Sequence, residues 1–86
     1  MNLYLIKQDT NCGYDTYDSA VVIASSAEEA KTIHPDPKLN LHWEGVKWSD
    51  DDYGTWCYPE HVTVELIGQA SSGKIGDVVC ASFNEG

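Results

Sequence analysis

The stretch Ala20-Val21-Val22-Ile23-Ala24, followed by Ser25-Ser26-Ala27-Glu28-Glu29-Ala30-Lys31-Thr32-Ile33-His34-Pro35, decides the fold. Five small or β-branched apolar residues in a row read as a buried strand. Ser26 and Glu29 then stand at the S-x-x-E spacing of a capping box, in which the serine accepts from the N3 amide and the glutamate reaches back to the N-cap amide. Glu28 and Glu29 also suit the positive end of a helix dipole. Pro35 excludes the α conformation for the residue before it. A strand, a very short turn and a helix of about two turns are therefore predicted.

Working outward, residues 3–8 read as a first strand, aromatic and β-branched with apolar side chains on both faces. A turn containing Asn11 and Gly13 links it to the second strand at residues 19–24, so the two are expected to pair antiparallel. Beyond the helix, Pro35-Asp36-Pro37 ends all regularity. The stretch from there to Pro59 holds all three tryptophans and no clear period, with one short strand conceivable at residues 54–58. Residues 61–68 alternate cleanly, with Val62, Val64 and Leu66 directed inward and Thr63 and Glu65 outward. A Ser/Gly loop precedes a last strand at residues 77–83, expected to fold back on its predecessor as a hairpin. The order β-β-α-β-β predicts a single α+β domain over residues 1–86. Its antiparallel four- to five-stranded sheet carries one short helix packed on a face.

Eighty-six residues give one modest core. No apolar run of ~18 residues is present to span a membrane as a helix. The first residues lack the pattern of a secretion signal, so the reading places the chain in a cytoplasm with its three cysteines reduced. Fourteen acidic residues face five lysines and no arginine, for a net charge of −9. That balance argues against direct nucleic-acid binding and against attraction to an anionic membrane. It suits either solubility alone or a basic protein partner.

No constellation for catalysis stands out. Cys57 and His61 would lie roughly 13 Å apart in extended chain, with Pro59 between them. The histidines and cysteines lack the paired spacing of a zinc site. His34 reads as a polar residue at the helix C-terminus, where positive charge suits the dipole. Three consecutive aspartates, Asp50 to Asp52, lack the alternation of a calcium loop. No catalytic residue, metal or cofactor is assigned. The aromatic cluster of Trp43, Trp48, Tyr53, Trp56 and Tyr58 leaves two readings open. It is a satellite core pinning a long loop to the sheet, or a recognition surface, since Trp and Tyr dominate interface hot spots. Tyr14, Asp15, Tyr17 and Asp18 repeat the same acid-and-ring mixture. On the second reading the partner-binding residues are Tyr14, Asp15, Tyr17, Asp18, Trp48, Asp50, Asp51, Asp52, Tyr53 and Trp56.

Leu3-Tyr4-Leu5-Ile6, Gly13-Tyr14-Asp15-Thr16-Tyr17-Asp18-Ser19-Ala20-Val21-Val22, Ala30-Lys31-Thr32-Ile33-His34-Pro35, Val62-Thr63-Val64-Glu65-Leu66-Ile67-Gly68 and Ala81-Ser82-Phe83-Asn84 together resemble a family of small bacteriophage and prophage proteins. The central Trp/Asp stretch lies outside the resemblance. What it implies is context: a non-enzymatic phage accessory protein in a bacterial host cell. In general type, small acidic phage domains of this kind are similar to anti-CRISPR inhibitors. The expected function is to bind and inhibit a basic, nucleic-acid-binding host defence complex through the acidic and aromatic surface. The alternative is a sponge that sequesters a nucleotide signal. A homodimer through an exposed edge strand is also open.

Overall fold

The computed structural model describes residues 1–10, 16–36, 41–50 and 54–84. Four strands form one antiparallel sheet: β1 (Asn2–Lys7), β2 (Thr16–Ala24), β3 (Thr63–Gln69) and β4 (Val78–Asn84). With one short helix, α1 (Ala27–Ala30), they make a small α+β fold. The strand order is β3-β1-β2-β4. β1 and β2 pair in continuous register from Asn2 with Ala24 to Lys7 with Ser19. They take the centre because both carry apolar residues on successive positions, which suits a strand flanked on both sides.

The expected hairpin between the last two strands does not form. β3 pairs with β1 and β4 with β2, so they lie on opposite edges. The 70–77 loop carries the chain across the sheet end. Ala70 N–H donates to Met1 O at 3.0 Å, and Gly76 N–H to Ile23 O at 2.8 Å. Gly73 is required on this path, since its φ is +95° and a Cβ there would lie 2.7 Å from Ile23 Cδ1. The loop passes so close to Ile23 that the isoleucine is buried.

The helix is half the expected length. Ser26 caps it, its Oγ accepting from Glu29 N–H at 3.2 Å. The glutamate's reach goes one residue further back than the box predicts, to Ser25, where Oε1 accepts from N–H at 2.7 Å and from Oγ–H at 2.9 Å. The helix ends at Ala30 rather than at Pro35. Thr32 Oγ1 donates to the Glu29 carbonyl at 2.7 Å, and Ile33 leaves the helix to bridge with His42. A β-branched pair favours extended chain at that point. His34, expected at a helix terminus, is buried in the loop beyond it.

The core lies on one side of the sheet. Tyr4 and Ile6 of β1 and Ala20, Val22 and Ala24 of β2 pack with Ala30, Trp48, Trp56, Cys57 and Val62. Val64 is partly buried, but Leu66 is 60% exposed despite pairing with buried Tyr4. α1 reaches β3 as well as β1 and β2, yet it leaves Leu66 open to solvent. Residues 54–58 form no strand; a single 3₁₀ turn, Pro59–His61, leads into β3.

Candidate functional site

Residues 42–49 order themselves through a reversal that has no periodic signal in the sequence. Trp43 and Trp48 form a bridge, Glu44 N–H donates to Lys47 O at 2.9 Å, and Ser49 N–H to His42 O at 2.8 Å. Gly45 turns the chain at φ +98°. This reversal holds a ladder of rings. His34 meets Trp48 edge-on at 5.1 Å between centroids, Trp48 meets Trp43 at 5.3 Å, and Trp43 meets Tyr58 at 5.2 Å. Trp48 Nε1–H donates to Cys57 O at 3.2 Å, which satisfies its polar atom in the interior.

Trp48 and Trp56, read from sequence as partner-binding, are 4% and 3% exposed. Side chains so covered offer no surface to a partner; they are the satellite-core alternative. Tyr17 is half-buried. Its ring rests 4.7 Å from that of Phe83. Burial, reinforced by the Asp36 carboxylate beside its hydroxyl as both a charge and a hydrogen-bond acceptor, holds the Tyr17 pKa above 10.0. Asp18 and Asp50 are exposed. Tyr14, Asp15, Asp51, Asp52 and Tyr53 lie outside the described residues.

The structure does bring the two candidate segments together. Tyr17 N–H donates to Thr55 O at 2.8 Å, tying the entry of β2 to the end of the Trp/Asp stretch. Beside this tie, Gln8 N–H donates to Asp18 O at 3.1 Å, and the buried Gln8 side chain donates to Tyr17 O at 2.7 Å. These bonds fix a shallow groove of about 430 Å³ at that end of the sheet, between Asp9 and Asp18 on one wall and His61 and Thr63 on the other. Among the described residues, Lys7 is the one lysine lining it. Glu60 stands beside it, its Oε1 3.7 Å from His61 Nε2. Both His61 and Glu60 face solvent, whereas the Cys57 thiol is buried. The two halves of a Cys–His pair thus occupy different environments.

A larger cleft of about 750 Å³ opens at the opposite end, between the 70–77 loop and the segment after the helix. Sequence reasoning missed it because its walls come from two loops joined only by the crossing of β3 to β4. Ile23, Ile33 and Ile75 give it apolar surface, and His34, Asp36 and Asp77 give it polar atoms. His34 Nδ1 accepts from Asp36 N–H at 3.1 Å, so the ring proton sits on Nε2 in the neutral tautomer. Asp77 Oδ2 accepts from Lys74 N–H at 3.0 Å. Among the described residues, no lysine lines the cleft. Among the described residues, no group of three or more His, Cys, Asp or Glu side chains could hold a metal ion. No helix among them is long and apolar enough to cross a membrane. The chain matches no family model, no curated protein and no solved structure, so its functional reading rests on its own residues and geometry.

Proposed function

We propose that this domain acts without catalysis, as a phage accessory protein that docks on a basic, nucleic-acid-binding host defence complex and blocks it. The observation that carries the reading is the Tyr17 to Thr55 bond, which joins the two acid-rich segments at one end of the sheet beside exposed Asp9 and Asp18. Arginine and lysine side chains that normally hold phosphates would meet carboxylates there. Long-range attraction to a chain of net charge −9 would speed the encounter. Buried Trp48 and Trp56 take no part, so contact area must come from the groove rim and from exposed Tyr58.

The test is capture from a bacterial lysate at low salt, followed by binding measurements on the recovered protein. A basic nucleic-acid-binding protein is expected. Its association rate should fall steeply with salt and fall again with Asp9→Asn and Asp18→Asn. Binding that ignores both salt and these substitutions would sink the electrostatic mechanism.

The sponge reading has the 750 Å³ cleft in its favour, a size that suits a small molecule. The carboxylates of Asp36 and Asp77 in its lining favour a neutral or cationic ligand over a nucleotide. A rise in melting temperature with any of a panel of cyclic nucleotides would reverse that preference.

A further inference from the structure

The two edges of the sheet differ in chemistry. β3 carries Glu65 midway along it, a charge that discourages strand addition. β4 reads Val-Val-Cys-Ala-Ser-Phe-Asn, and it is the one strand of the four without a charged residue. Lys7 lies in β1, Asp18 in β2 and Glu65 in β3. β4 is also open to solvent: Val79 is 57% and Phe83 38% exposed, and Cys80, Ala81 and Ser82 between them are exposed too. Its pairing to β2 shifts register at Val79 and then runs without a break on the β4 side from Cys80 onward. Among the described residues nothing pairs with its outer edge. An uncharged strand rich in β-formers, with a row of free amides and carbonyls, is the kind of edge that proteins otherwise protect.

We infer that a second copy of this chain covers it. β4 pairs antiparallel with β4 of the second copy across a two-fold axis near Ala81, making one continuous sheet of twice the width. Charge selects this occupant. The basic partner proposed above would be drawn to carboxylates, and β4 has none. Two chains of net charge −9 repel over most of their surfaces, and an uncharged edge strand is where they approach at least cost. Antiparallel self-pairing about Ala81 sets Val79 against Phe83 and Cys80 against Ser82, so no acid opposes an acid. Such an interface is isologous and closes at a dimer.

The salt dependence separates this inference from the proposed function. Screening weakens docking on a basic partner, but it strengthens association of two like-charged copies. Sedimentation equilibrium of the full chain under reducing conditions should give twice the 9.5 kDa chain mass. The dimer should tighten when salt rises from about 50 mM to about 500 mM. Ala81→Lys, which sets like charges beside each other at the axis, should weaken it by at least ~10-fold, whereas Glu65→Gln on the other edge should leave it unchanged. Circular dichroism of Ala81→Lys must match that of the parent. Should that variant lose its fold, backbone hydrogen exchange on the parent decides, with slower exchange across residues 80–83 on dimerisation as the expected result. A monomer at all concentrations, a dimer lost on adding reductant, a dimer broken by Glu65→Gln and not by Ala81→Lys, or unchanged exchange in β4 would each overturn the inference.

Discussion

The two sides of the central strand pair carry similar residues and meet different fates. On one side Tyr4, Ile6, Ala20 and Val22 are buried. On the other, Leu3, Leu5 and Val21 are only half-buried, and Ile23 alone is covered, by the 70–77 loop. Nothing in the β1 and β2 sequences distinguishes these sides, since apolar residues alternate on both. What differs is the cover. A helix of one turn is too small to seal even one face, and Trp48 and Trp56, between α1 and β3 in the chain, complete it. A concentration of tryptophan and aspartate in a loop is therefore no sign of an interface by itself. In a small domain, large rings are an economical way to finish a core, while Asp50 between them stays in water.

The sharpest way to break this comparison is Trp48→Ala. It removes the ring held edge-on between His34 and Trp43 and the bond to Cys57 O. The expected cost is about 3–5 kcal/mol, a large part of a small domain's stability, and thermal denaturation should show a melting temperature lower by well over ~10 °C. A near-parental melting temperature would mean that the tryptophan layer is not the lid described here. A matched pair probes the two sides of one strand. Ile6→Ala should cost about 2–5 kcal/mol, and Leu5→Ala, one residue away on the half-covered side, less than half as much. Equal costs in urea titrations would show that both sides are equally sealed.

Smaller effects test the helix and the tie between the two sides of the site. Ser26→Ala should cost about 1 kcal/mol, because the Glu29 amide loses its acceptor. Tyr17→Phe tests the ionisation of the tyrosine. Its pKa is raised in the folded state by burial and by Asp36, so its contribution to stability is full below pH 10.0 and is lost as pH rises through the folded-state value. The parent should lose stability above pH 10 more steeply than Tyr17→Phe does. Identical slopes in pH-dependent denaturation would place the Tyr17 hydroxyl outside the field of Asp36.

Much of the local structure was legible. The apolar run before Ser25 became the end of β2, the S-x-x-E spacing became a cap, and the alternation after Pro59 became β3 within two residues. The candidate site was only partly legible. The sequence flagged the 14–18 and 48–56 segments separately, and the Tyr17 to Thr55 bond joins them. It offered no way to tell that two of the tryptophans point inward, because an indole with one donor suits a core and an interface alike. The groove between Asp9 and Thr63 and the cleft at the opposite end carried no signal, since each is made of residues far apart in the chain.

By itself the sequence determined what depends on near neighbours and on totals. These are the strands' apolar pattern, the helix start, an acidic chain without arginine, and a small α+β fold. The tertiary structure alone decided that β3 and β4 take opposite edges and that Trp48 and Trp56 close the core. It also decided that an uncharged strand is left at the rim. The physical reason is that periodicity and capping are fixed over a few residues of backbone. Strand order and burial are instead settled by competition among distant segments for the same apolar surface, and that competition leaves no mark on local spacing.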